Sequence, residues 1–176
     1  MSDFLISQLL VGVVFFFDFA SFQFREKRHV LACLVFSGAL MGAHFYLVEA
    51  YTAAALGFIA SVRFLTAMFT SSRWLLGFFL MLVFGNAWLS FDGWITVLAT
   101  TGAAITTTAS FLASDKRFRE LMAVGIAVWI VHNVMVGSPG AVALETFFLF
   151  SNLLGYYRFY LRRPRAVIAD SNEEKS

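Results

Sequence analysis

Charge is scarce in this sequence. Asp, Glu, Lys and Arg together make up 14% of 176 residues, against about a quarter in ordinary soluble domains. The net charge of +2 supplies no basic face for a nucleic acid, and none is expected as a partner. Cysteine occurs once, as Cys33, which excludes an intramolecular disulfide and a cysteine metal cage. Proline occurs twice, Pro139 at the entrance of an apolar stretch and Pro164 near the C-terminus, so no apolar stretch carries a proline hinge in its interior. HExxH, CxxC, a nucleophile elbow and a phosphate-cradling glycine loop are all missing. The chain is read as a non-enzyme with no cofactor and no metal.

What remains is apolar. Hydrophobic residues make up 60% and aromatics 18%, with a mean hydropathy of +0.77, the composition of a membrane protein. A helical span needs about 20 apolar residues. Seven such stretches fit, at about 4–22, 29–48, 50–70, 73–90, 93–114, 119–137 and 139–161. Short connectors separate them: "REKR", "SSR", "FDG", "SDKR" and "GSPG". The apolar residues run on without alternating with polar ones, which excludes a transmembrane barrel. The expected fold is an all-α membrane protein, a seven-span domain over 1–161 followed by a disordered cytoplasmic tail at 162–176.

Basic residues set the expected orientation. Arg25, Lys27 and Arg28 follow the first span, Arg73 the third, Lys116, Arg117 and Arg119 the fifth, and Arg162, Arg163 and Arg165 the seventh. The other side carries Asp3, Glu49 and Asp92 and no Lys or Arg. The N-terminus is therefore expected outside and the C-terminus in the cytoplasm. Because the first positive charges come after the first apolar run, that run reads as a retained span and not as a cleaved signal.

A shift of 88 residues lays "HFYLVEAYTAAALGFIASVRFL" on "HNVMVGSPGAVALETFFLFSNL". His44 falls on His132, Val48 on Val136, Ala53 on Ala141, Ala55 on Ala143, Leu56 on Leu144 and Leu65 on Leu153. Arg28 lands on Lys116, so the basic turns coincide too. Two parallel three-helix repeats are expected, at about 4–70 and 93–161, joined by a linker helix at about 73–90. This 3+1+3 plan resembles that of the SWEET sugar transporters.

The same stretches, "HFYLVEAYTAAALGFIASVR" and "WIVHNVMVGSPGAVALETFFLFSNLLGYYRF", resemble the bacterial inner-membrane protein family typified by YgjV. The positions that carry the resemblance are His44, Arg63, Trp129, His132, Asn133, Gly137, Ser138, Gly140, Glu145, Asn152 and Arg158, and it extends to about residue 161. Ala60 stands where the family often has Asn. The resemblance implies a bacterial cytoplasmic-membrane location and carries no activity with it.

Depth sorts the polar residues, at about 1.5 Å of rise per residue. His44, His132 and Glu145 fall roughly 6 to 9 Å below the outer interface, with Asn86 and Asn133 near them. Asp18, Arg63 and Asn152 fall roughly 20 Å from it, in the inner half. Charges at such depth are costly and are expected to be paired. Asp18 and Arg63, of opposite sign at matching depth, are the candidate structural ion pair. His44, His132 and Glu145 are the candidate proton-coupling group. Asn152, Arg63, Glu145 and Trp129 are the candidate lining of a substrate path. The weighed alternative for His44, His132 and Glu145 is interhelical hydrogen bonding that serves packing alone; for Asp18 and Arg63 it is snorkelling to the inner interface near Arg25, and for Trp129 it is core packing. Asn152 matches half of the Asn pair that SWEET-like proteins place in the third and seventh spans; the third span here has no Asn. The threonines of "VLATTGAAITTTAS" either line a wet path or bond their own backbone one turn back.

The expected function is a SWEET-like carrier or channel for a small solute. The alternative is a noncatalytic structural or accessory membrane protein. The lipid bilayer and an unknown small solute are the expected partners, with homo-oligomerisation left open.

Overall fold

A computed structural model describes residues 3–47, 51–89, 91, 93–137 and 139–162 of the chain. Glu49, Asp92, Ser138 and the tail from Arg163 onward lie outside the described residues. The described residues form α1 (Asp3–Ser21), α2 (Lys27–Leu47), α3 (Tyr51–Phe69), α4 (Arg73–Leu89), α5 (Gly93–Ser110), α6 (Asp115–Val136) and α7 (Pro139–Tyr156). A π-helical turn, Tyr157–Leu161, continues α7. No strand occurs among the described residues, so the fold is all-α with seven helices.

One boundary differs from the sequence expectation in a way that matters. α6 begins at Asp115, not near 119, because the Ser114 side chain accepts a hydrogen bond from the Arg117 N–H and caps the helix. Asp115 in the first turn suits the positive end of the helix dipole. Arg119 thereby moves from the connector into the second turn of a helix. At its other end α6 stops at Gly137, whose φ of 74° is the left-handed conformation that glycine adopts without strain.

Two helices, Lys27–Leu47 and Asp115–Val136, are individually long and apolar enough to cross a membrane; Leu9–Ser21, Gly57–Phe69 and Arg73–Leu89 are shorter apolar helices. The distribution of side chains speaks for the molecule as a whole. Large apolar groups face outward, with Trp74 at 90%, Trp88 at 86%, Leu89 at 87% and Trp94 at 77% exposure. Ser7, Ser21, Ser37, Ser61, Thr107, Ser110, Ser151 and Asn152 are buried inside. Water favours the reverse arrangement, whereas hydrocarbon favours this one, in which small polar groups bond between helices.

α2 packs against α1 and α3, and α6 packs against α5 and α7. α4 lies beside α5, and the two triplets meet through α1 with α7 and α3 with α5. Close approach of α2 and α3 is built from glycines: a Cβ on Gly57 would lie 2.8 Å from the Gly42 backbone nitrogen. Ser61, one turn further along α3, donates to the Val35 carbonyl of α2 at 2.8 Å.

The triplets also share a register. α2 begins at Lys27 and α6 at Asp115, while α3 begins at Tyr51 and α7 at Pro139, each pair 88 residues apart. Contacts follow the same shift. Arg63 meets Thr107 between α3 and α5, and the positions 88 residues away, Ser151 and Phe19, meet between α7 and α1.

Candidate functional site: the polar seam between the triplets

The seam is densest where the turn after α1 meets the turn after α5. The Lys27 N–H donates to Asp115 Oδ1 at 3.1 Å. Lys27 Nζ donates to the Leu112 carbonyl at 2.5 Å. Arg119 reaches the other way, Nη1 donating to the Phe22 carbonyl at 3.0 Å and Nη2 to the Phe24 carbonyl. Phe24 and Leu112 are themselves 88 residues apart, so each triplet caps the same turn carbonyl of the other with a cation. Arg119 is 1% exposed, its guanidinium lying against the rings of Phe22 and Phe159 at 5.4 Å each. Gly155 makes room for it, since a Cβ there would strike the Phe22 carbonyl oxygen and the Arg119 guanidinium.

Asn152 belongs to this brace. Its Nδ2 donates to the Arg119 carbonyl at 2.8 Å, and its Oδ1 is buried without a partner. Next to it, Ser151 Oγ donates to the Phe19 carbonyl at 2.5 Å and accepts from Gln23 Nε2 at 3.0 Å. Asn152 was expected to border an open path; it is fully enclosed and holds α7 to α6.

The expected ion pair of Asp18 with Arg63 does not form. Asp18 Oδ1 accepts from Ser37 Oγ of α2 at 2.5 Å. Arg63 Nη1 donates to Thr107 Oγ1 of α5 at 2.6 Å, and its guanidinium lies 4.6 Å from the Phe64 ring. Equal depth did not imply a shared azimuth: the two side chains leave their helices toward different neighbours. Arg63 Nε is buried with no partner.

Nor do the two histidines and Glu145 converge. His44 Nδ1 donates to the Ser7 carbonyl of α1 at 3.0 Å, and His132 Nδ1 donates to the adjacent Asn133 Oδ1 at 3.2 Å. No group of three or more His, Cys, Asp or Glu side chains is arranged to hold a metal among the described residues. Glu145 is half-buried on α7. Trp129 packs on Gly102 of α5, where a Cβ would come within 3.0 Å of the indole, and meets His132 edge-on at 5.2 Å.

The α5 threonines are mostly self-satisfied. Thr100 donates to the Thr96 carbonyl, Thr101 to Val97, Thr106 to Gly102 and Thr108 to Ala104, all one turn back. The groove between α4 and α5, about 890 Å³ and lined by Phe84, Trp88, Val97, Thr100, Thr101 and Ile105, is accordingly apolar.

A family of bacterial inner membrane proteins, Imp-YgjV, has a model that matches residues 5–163, nearly all of the described structure. The chain belongs to that family. Its similarity to the inner membrane protein YgjV of Escherichia coli (strain K12) is 28% identity over 158 residues, covering 90% of this chain and 83% of that relative. No solved structure matches. YgjV-family membership agrees with the outward-facing apolar surface and places the chain in the bacterial inner membrane.

Lys27, Asp115 and Arg119, the centre of the brace in this YgjV-family chain, were not singled out as site residues from sequence. A signal was present: the shift of 88 that lays Arg28 on Lys116 also lays Lys27 on Asp115, opposite charges at equivalent positions.

Proposed function

We propose that the protein is a noncatalytic small-solute carrier of the inner membrane, built from two parallel three-helix repeats with α4 as the linker. All seven helices span the bilayer in this reading, N-terminus outside and C-terminus in the cytoplasm, so that both basic turns lie on the cytoplasmic face. The observation that carries it is the brace. Lys27, Asp115, Arg119, Gln23, Ser151 and Asn152 join the triplets at the cytoplasmic end, while His44 and His132, toward the other end, bond within their own triplets. Two rigid units fastened at one end can exchange that closure for one at the opposite end, which is the requirement of alternating access. Asn152 then acts as part of the inner closure, and the mid-membrane groups Asp18, Arg63 and Glu145 border the path.

A specific observation favours a second reading. Most polar side chains of the seam find protein partners, as helix packing alone requires, and this supports an accessory protein whose seam is structural. Purified protein in lipid nanodiscs, screened by thermal unfolding against sugars, amino acids, vitamins and divalent metals, separates the two. The carrier reading expects a saturable stabilisation by a solute that weakens in Glu145→Gln at unchanged apo stability. Flat curves throughout, with Glu145→Gln and Asn152→Ala losing fold stability or a partner, support the accessory protein.

A further inference from the structure

We infer that Arg63 anchors a binding site for a small anion, either inorganic or the carboxylate of a small solute, at the junction of α3 and α5. Arg63 is a permanent cation within the apolar part of the molecule. Its protein partners are the neutral Thr107 hydroxyl and the face of Phe64, and its Nε hydrogen is buried with no acceptor. The carboxylate expected to neutralise it, Asp18, is bonded to Ser37. A charge left in this condition within hydrocarbon is costly, and a bound anion removes the mismatch.

Thr107 supplies the second observation. Thr100, Thr101, Thr106 and Thr108 each give their hydroxyl hydrogen to their own helix, whereas Thr107, fully buried, accepts from Arg63. Its own hydrogen is left to donate. Arg63 and Thr107 thus present a guanidinium edge and an O–H side by side, a pairing that suits an oxyanion or halide. Packing does not explain the charge. At the equivalent contact 88 residues on, neutral Ser151 meets the Phe19 carbonyl, and α7 and α1 join there without a charge. Of the two equivalent contacts, Arg63–Thr107 alone carries a charge.

As the substrate class of the proposed carrier, the inference rests on that reading; as a binding site it is tested without it. Full-length protein in neutral-lipid nanodiscs is titrated with sodium chloride, nitrate, phosphate and acetate at constant ionic strength, with a bulky zwitterionic buffer salt as background, and thermal unfolding is followed. At least one small anion raises the Tm saturably, Arg63→Gln weakens the apparent affinity at least tenfold, and Arg63→Lys restores part of it. Response to acetate alone assigns a solute carboxylate; response to chloride, nitrate or phosphate assigns an inorganic anion. Thr107→Val, which keeps the side-chain volume, weakens the affinity several-fold and keeps the test valid where Arg63→Gln does not fold. Flat titrations of the wild type, or identical titrations in wild type and both variants, overturn the site. Anion flux into proteoliposomes distinguishes the two proposals: saturable binding without flux supports the site and counts against the carrier, whereas flux accompanied by titrations indifferent to Arg63→Gln and Thr107→Val overturns the site and leaves the carrier standing.

Discussion

The backbone N–H of Lys27 donates to the carboxylate of Asp115, and these residues are the first of α2 and the first of α6, 88 positions apart. Equivalent residues of two repeats touch only where the axis relating them passes between the copies. In the proposed two-repeat reading Lys27 and Asp115 lie at that axis, and the capping of Leu112 by Lys27 and of Phe24 by Arg119 is the reciprocal contact expected around it. The capping residues are not themselves equivalent, since Leu31 stands 88 positions before Arg119.

Arg119 holds the brace most firmly, so its loss should be felt most. Arg119→Leu leaves the buried Phe22 carbonyl and the part-buried Phe24 carbonyl without their charged donor, a change worth about 3 kcal/mol. Unfolding in mixed micelles should show a lower midpoint for Arg119→Leu, with Arg119→Lys intermediate, because an ammonium can reach one carbonyl but lacks the planar fork. Equal midpoints for wild type and Arg119→Leu would show that the guanidinium contributes nothing to joining the triplets.

Close approach of α2 and α3 gives a prediction with an internal control. Any side chain at Gly57 meets the Gly42 backbone, which cannot swing aside, so Gly57→Leu should separate the helices at a cost of about 1–3 kcal/mol or more. Gly77, on α4, has no neighbour within 4 Å of a built Cβ, and Gly77→Leu should be tolerated. Gel-filtration profiles and unfolding midpoints in detergent compare the two directly.

Helix number and most helix starts were legible because apolar runs are interrupted only by short turns such as "SSR" and "GSPG". The shift of 88 residues that lays His44 on His132 also separates the starts of α2 and α6 and those of α3 and α7. Azimuth was not legible. Depth along a helix follows from counting residues, but the direction of a side chain depends on packing, so Asp18 turned to Ser37 and Arg63 to Thr107. Arg119 was read as a connector charge because connectors in membrane proteins collect arginine, and only the folding of one turn onto the other reveals two carbonyls within its reach. His44 and His132 occupy equivalent positions without meeting, since equivalence brings residues together only beside the axis.

Threonine chemistry in α5 divides cleanly. Thr100→Val and Thr101→Val remove hydroxyls that serve only their own helix, and each should shift stability by less than about 0.5 kcal/mol with no change in ligand response. Thr107→Val removes the hydroxyl that Arg63 uses and should be the outlier among the three in both measurements. Three unfolding curves and their anion dependence decide the matter.

The arrangement of the turns fixes which surfaces a membrane-impermeant reagent can reach. Glu26, in the turn before α2, and Lys116, in the first turn of α6, are exposed residues beside the Lys27–Asp115 contact, so cysteines at both must lie on one face of the membrane. Gly140, exposed at the start of α7, lies at the far end of a helix whose other end joins the brace through Ser151 and Asn152. In a Cys33→Ala background, Glu26→Cys and Lys116→Cys should be labelled only from the cytoplasmic side and Gly140→Cys only from the periplasmic side. Parallel repeats require the first two to agree. Labelling of Glu26→Cys and Lys116→Cys from opposite sides would make the repeats inverted and place Lys27 and Asp115 a membrane's width apart, which a 3.1 Å hydrogen bond does not permit.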